Sequence, residues 1–256
     1  MNCLKFSILF LLAPLTLYYS CESNFHRDKS PETKKKEIKR QKVLFKKKSK
    51  DSIDRISLVT NLVDIREIDS NILVDLKYAT NDNFMNKKLY QRINKAYLQK
   101  DVAVRLSACQ DFLTQLKPGF KLMIYDAVRP VSVQQKMWDA LDSIPFKERG
   151  KFVSNPKNRS LHNFGAAVDV TICNENGEAL EMGAGYDDIR KIAYPNLEGY
   201  FLNSGELKPF QVENRQLLRK VMQKQGFRNI PTEWWHFNAC SREQAISKYK
   251  VLLEEP

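Results

Sequence analysis

The sequence predicts an α+β domain over residues 51–256. Short alternating stretches read as strands, and longer apolar stripes at three- and four-residue steps read as helices. The two kinds mix without the regular β-α alternation of a doubly wound sheet. Leu58–Ile68 and Asn71–Lys77 are the first expected strands; Ile72, Val74 and Leu76 share one face of the second. Tyr97–Leu116 is the clearest expected helix, because Leu98, Val102, Leu106, Cys109, Leu113 and Leu116 form one stripe and Pro118-Gly119 ends it. Phe120–Asp126 reads as a short apolar strand, broken by Arg129-Pro130, and Val131–Leu141 as a helix. Val168–Cys173 alternates again, with Asp169, Thr171 and Cys173 on one face. Asn214–Gln225 is an expected helix stopped by Gly226, Thr232–Asn238 an aromatic-rich strand, and Ser241–Leu253 a closing helix.

Composition narrows the function classes. Hydrophobic residues at 43% and charged residues at 28% are ordinary for a globular chain of 256 residues. The net charge of +12 suggests nucleic acid until it is localised. Residues 22–50 carry a net +8 and residues 51–256 only +3, so the domain has no basic surplus that would call for a nucleic-acid partner. Cys109, Cys173 and Cys240 include no Cys-x-x-Cys pair and read as buried small hydrophobes, with one disulfide as the alternative.

The N-terminal segment reads as an address. Lys5 precedes an apolar run, Phe6–Tyr19, too short for a transmembrane helix and suited to a secretory signal. Ser20-Cys21 after Leu17-Tyr18-Tyr19 resembles a loose bacterial lipoprotein signal with Cys21 as the lipidation site. Plain cleavage, an uncleaved anchor and a buried N-terminal hydrophobic segment of the fold are the alternatives. Residues 1–21 are thus expected to be a signal and residues 22–50 a disordered basic tether. The mature protein would be exported and anchored to a membrane, facing the periplasm or the cell exterior. The tether would either be a plain spacer or meet anionic lipid or wall polymer.

Chemistry concentrates around two of the three histidines. His162 lies in Ser160-Leu161-His162-Asn163-Phe164-Gly165-Ala166-Ala167-Val168-Asp169, and His236 in Glu233-Trp234-Trp235-His236; His26 falls in the tether. Two imidazoles and the Asp169 carboxylate make a catalytic zinc sphere with one position left for water. Hydrogen-bonded core histidines are the plain alternative. A hydrolase needs a base beside the water, and Glu233 is near enough in sequence. On a flat strand, however, positions three apart face opposite sides, so a bulge or turn is expected at Glu233. Gly165-Ala166-Ala167 is expected to let backbone pass close to the metal.

Taken together, Ser-x-His-x-x-Gly-x-Ala-x-Asp and Glu-x-Trp-His resemble the zinc D,D-peptidases of the VanX/VanY type, peptidase family M15. Asp75-Leu76-Lys77-Tyr78-Ala79-Thr80-Asn81-Asp82-Asn83-Phe84, Tyr125-Asp126-Ala127-Val128-Arg129-Pro130 and Met182-Gly183 with Tyr186-Asp187 resemble elements of its VanX-like dipeptidase branch. Tyr186 stands where that branch has phenylalanine. The resemblance spans about residues 60–240 and implies one zinc-peptidase domain with a central, mostly antiparallel sheet flanked by helices. It implies one zinc per chain on His162, Asp169 and His236, with Glu233 as general base and acid and Arg129 stabilising the oxyanion. Asp187 would pair with the free ammonium of D-Ala-D-Ala, Ser160 would hold its carboxylate, and Tyr78 would line the pocket. Trp234 and Trp235 would shield and pack the site. The implied reaction releases two D-alanines, in wall turnover or dipeptide scavenging, because an exported chain does not meet the cytoplasmic dipeptide pool. A D,D-carboxypeptidase and a non-catalytic zinc-containing wall-binding module are the alternative readings.

Overall fold

A computed structural model describes residues 61–255. The expected signal, Cys21 and the basic tether lie outside these residues, as do the first residues of the strand expected from Leu58.

The domain is α+β. A five-stranded sheet has the order β2-β4-β5-β7-β6, formed by β2 (Leu73–Val74), β4 (Lys121–Asp126), β5 (Ala167–Cys173), β6 (Arg228–Ile230) and β7 (Glu233–Asn238). The β2–β4 pair is parallel and the other pairings are antiparallel. A separate two-stranded antiparallel sheet joins β1 (Leu62–Asp64) to β3 (Tyr97–Gln99). The helices are α1 (Ile65–Ile68), α2 (Lys100–Leu116), α3 (Val131–Asp139), α4 (Glu198–Asn203), α5 (Pro209–Lys224) and α6 (Arg242–Lys248). Among the described residues, no helix is long and apolar enough to cross a membrane.

Several boundaries differ from the sequence reading. The first expected strand stops at Asp64, whose side chain accepts from Arg66 N and caps α1. The second reduces to Leu73–Val74, and Lys77–Ala79 turns into a 3-10 helix. Tyr97–Gln99 is a strand, with α2 beginning at Lys100. Leu98 is fully buried there, so its place on the helical stripe was a coincidence of spacing. The rest of the stripe behaves as read: Val102, Leu106, Cys109 and Leu113 are fully buried. Helix α5 starts earlier than Asn214, with Pro209 in its first turn, where the missing N–H costs nothing. The closing helix ends at Lys248, and the chain continues as an extended tail. Cys109, Cys173 and Cys240 are free thiols, the first two buried.

The tail is stitched into the domain. Leu252 N donates to Asn163 O, while Val131 N and Ser132 N donate to Leu252 O and Leu253 O. The Glu255 carboxylate accepts from the backbone N–H groups of Gln91, Arg92 and Ile93.

The sheet register places the chemistry. Asp126 on β4 pairs with Asp169 on β5, and Asp169 pairs with His236 on β7, so three functional side chains stand in a row across adjacent strands. A bulge between Ile124 and Asp126 sets the first of these pairings. A second irregularity, between β6 and β7, matches Ile230 to Glu233 immediately after Asn229 to Phe237. This is the bulge expected at Glu233.

Candidate active site

His162 comes from the 3-10 turn Leu161–Phe164, just before β5. Ser160 caps that turn: its Oγ accepts from His162 N at 3.3 Å, and Asn163 Oδ1 accepts from Ser160 N at 2.7 Å. The fully buried Asn163 then donates to Arg129 O (2.7 Å) and Gln134 Oε1 (3.0 Å), while Arg129 N donates to His162 O. The motif of Ser160 and the Arg-Pro turn are therefore one hydrogen-bonded unit. Gly165 ends the 3-10 turn at φ +64°, and a Cβ there would lie 2.4 Å from Leu62 Cδ2. Its close approach is to the β1–β3 ribbon, because the left-handed turn aims this backbone at Leu62 and Gln99.

His162, Asp169 and His236 are all buried and come together at one point. His162 Nε2 lies 3.1 Å from His236 Nδ1 and 3.3 Å from Asp169 Oδ1, and His236 Nδ1 lies 3.0 Å from Asp169 Oδ1. Each outer atom has its own partner. His162 Nδ1 donates to Ala127 O at 2.6 Å, His236 Nε2 to Asn238 Oδ1 at 2.9 Å, and Tyr186 Oη to Asp169 Oδ2 at 2.9 Å. These acceptors fix the ring tautomers, leaving two imidazole lone pairs and a carboxylate oxygen facing one another. Such a triangle suits a cation. A tetrahedral ion with bonds of ~2.0–2.1 Å keeps its donors about 3.3–3.4 Å apart, close to the edges seen here. Burial pushes the Asp169 carboxyl up, but His162 and His236 outweigh it and hold it well below the usual carboxylate range.

Glu233 Oε2 stands 3.9 Å from His236 Nδ1. Burial pushes its carboxyl up to about 7, with Asp169 adding to the rise and His236 and Arg129 opposing it. A carboxylate poised there exchanges protons readily at neutral pH. Arg129 is buried, with Nε on Asp126 Oδ2 at 2.8 Å and Nη2 2.6 Å from the same oxygen and 3.4 Å from Asp169 Oδ2.

Asp187 is the strained member of the site, with φ at +61°. Tyr78 Oη donates to its Oδ1 at 2.9 Å, and its buried Oδ2 has no hydrogen-bond partner among the described residues. Burial raises its carboxyl to about 8, and Asp169 adds to the rise. Tyr78 is itself fully buried, beneath the Arg129 guanidinium.

One cavity of about 430 Å³ is lined by His162, Asp169 and His236 together with Ser160, Tyr78, Arg129, Asp187 and Glu233. Trp235 lines it too and packs edge-on against Tyr186, whereas Trp234 is buried and donates to Ala184 O. Sequence reasoning assigned no role to Asp126, Tyr186 or Asn238. Asp126 anchors Arg129 and accepts from Tyr90 Oη at 2.5 Å, and the other two hold metal donors in place. The three-residue step from Asp126 to Arg129 was the one visible signal for the first.

The M15 peptidase family described as D-ala-D-ala dipeptidase matches residues 59–251. The D-alanyl-D-alanine dipeptidase of Escherichia coli K12 is 34% identical over 200 residues, covering 78% of this chain and 93% of the relative. That of Enterococcus faecalis V583 is 29% identical over 178 residues, covering 64% and 83%. A solved structure of VanYB in complex with D-alanine-D-alanine shares 16% identity over 62% of this chain and 80% of that one, with a TM-score of 0.37.

Proposed function

The chain belongs to the M15 family of D-Ala-D-Ala dipeptidases, and from that premise we propose that it hydrolyses D-Ala-D-Ala to two D-alanines with one zinc ion. The observation that carries the dipeptide reading is Asp187, a buried carboxylate with an unpartnered oxygen in the same cavity as the metal donors. A buried charge is costly unless paired, and the free ammonium of a dipeptide supplies the pair. An N-blocked or longer peptide cannot, so it leaves that oxygen unsatisfied.

His162, Asp169 and His236 would hold the zinc, whose Lewis acidity lowers the pKa of water and polarises a carbonyl. The protein supplies the rest. Asp187 and Tyr78 hold the substrate ammonium, and the Ser160 hydroxyl donates to its carboxylate. Glu233 takes the proton from the attacking water and delivers it to the leaving amine. Arg129 offers its guanidinium to the oxygen that gains charge, held in position from behind by Asp126. Trp235 and Tyr186 wall off water.

The test is hydrolysis by the zinc-loaded protein of free D-Ala-D-Ala, its N-acetyl form and a wall pentapeptide. Cleavage confined to the free dipeptide is the expected result. Cleavage of the blocked or longer peptides would make the protein a carboxypeptidase.

The proposal extends to the N-terminal segment. Residues 1–21 act as a lipoprotein-like signal with Cys21 lipidated, and residues 22–50 tether the enzyme to a membrane on the outer side, where wall turnover or scavenged dipeptide supplies substrate. The apolar run followed by Ser20-Cys21 supports this reading. Cys21→Ala is expected to move the protein from the membrane to the soluble fraction, and retention would remove the lipid as its sole anchor.

A further inference from the structure

The loop 183–191 delivers two adjacent side chains to the site: Tyr186 to Asp169, and Asp187 to Tyr78 and the cavity. Within the loop, Asp188 N donates to Gly185 O at 3.4 Å and Arg190 pairs with the Asp188 carboxylate, which closes the turn on itself but does not anchor it to the rest of the fold. Asp187 sits at positive φ, a conformation that costs energy in a non-glycine residue and persists only where the surroundings over-determine it. Those surroundings lie behind the loop, on α5. Arg215 is fully buried there, and its guanidinium bridges the two stems: Nε donates to Met182 O at 2.6 Å, and Nη1 to Ile192 O at 3.0 Å. Its charge faces Glu198, 3.6 Å from Nη1, and Glu198 is gripped in turn by Arg219 at 2.7 and 2.6 Å. Asn214 donates to Glu181 O and Trp234 to Ala184 O, each touching one side of the loop. Among the described residues, Arg215 alone joins both stems.

The chemistry of the bridge is selective. A buried guanidinium is a poor source of net stability, and here its Nη2 has no partner among the described residues. What the planar fork provides is a fixed spacing between two carbonyl oxygens, which a lysine ammonium at the end of a flexible stem cannot reproduce. Arg215 does not line the cavity, so it can act on substrate only through its neighbours, and its two carbonyl partners are the stems of the loop.

We propose that Arg215 is the positioning residue for ammonium recognition: by bridging Met182 O and Ile192 O it holds the Asp187 carboxylate where the substrate amine arrives. This rests on reading Asp187 as the ammonium partner, and the experiment separates the two. The zinc-loaded full chain, Asp187→Ala and Arg215→Lys are compared for kcat and KM on D-Ala-D-Ala and on its N-acetyl form, with bound metal measured in each. Arg215→Lys is expected to raise KM for the free dipeptide about tenfold with kcat within about threefold, on the scale of one lost buried hydrogen bond. The preference for the free over the blocked dipeptide should fall by a similar factor. Asp187→Ala should do the same more strongly. A purely structural arginine would lower the unfolding temperature, bound metal and kcat together and leave the preference intact. If Asp187→Ala relaxes the preference while Arg215→Lys leaves it within about twofold, the positioning role is overturned and the clamp reading stands. If Asp187→Ala leaves it unchanged, the clamp reading falls and takes this proposal with it. Should Arg215→Lys fail to fold, Glu198→Gln, which removes the charge facing the guanidinium, takes its place, and the same ratio decides.

Discussion

The metal donors and the Asp187 carboxylate line one cavity, yet the chain holds them by different means. Asp169 and His236 are paired neighbours on the central strands β5 and β7, and His162 sits on a short turn bonded to the adjoining Arg-Pro turn. Every outer atom of that trio has a partner. Asp187 rides on a loop, at strained φ, with one oxygen held by Tyr78 and the other unpartnered. The centre of reaction is built on the stiffest part of the fold, where position must not vary between substrates. Asp187, the selecting group in the proposed reading, is left partly unsatisfied, as discrimination by an energy that only the correct substrate recovers would require.

The sharpest way to break this comparison is on the reaction side. Glu233→Gln is expected to cut kcat by about 10²–10⁴, the usual weight of a general base, with bound zinc unchanged by metal analysis. Loss of metal along with activity would make Glu233 part of the metal scaffold. On the selecting side, Asp187→Asn should cost about 10–100-fold in kcat/KM for the free dipeptide and little for the N-acetyl form, as expected when a buried charged partner is removed. Equal losses on both substrates would erase the distinction between the two regions.

Tyr186 tests the border between them, since it belongs to the loop but donates to a metal donor. Tyr186→Phe keeps the ring and removes that bond. Chelator competition should show about tenfold weaker zinc binding, the lower end for a lost outer-shell partner. The last test reads stability against pH rather than activity or metal. The Asp187 proton, lost near pH 4 in the unfolded chain, is retained in the fold up to about 8. The folded state therefore binds more protons across that window, and this group's contribution is present below pH 4 and lost as pH rises through 8. Denaturation midpoints of the wild type should fall from pH 5 to pH 8 more steeply than those of Asp187→Asn.

The same two regions differ in how far the sequence revealed them. The donors and Glu233 stand in two compact segments, and the three-residue step from Glu233 to His236 even required the bulge that is found. Asp187 was visible only through resemblance to a family. Its means of support were not visible at all, because Arg215 reaches Met182 and Ile192 across the fold and no local pattern encodes a tertiary bond. Local pattern also misled once. Leu98 falls on the stripe of α2, yet pairing with Val63 makes it a strand residue, since β partners are chosen at a distance.

The stitched tail carries a consequence for the order in which the molecule can be made. A chain grown only to Trp235 has two of the three metal donors and one edge of β5 unpaired by β7. Val131, Ser132 and Asn163 still await partners at Leu252 and Leu253, and the Gln91–Ile93 amides await Glu255. Closing loops that long is slow, so the centre should take shape only after the segment through Glu255 has been made. If the chain is exported as proposed, an exporter that handles unfolded chains would meet a substrate not yet able to fold shut or to capture zinc. Metal would then be acquired where the protein finally folds, from the supply of that compartment.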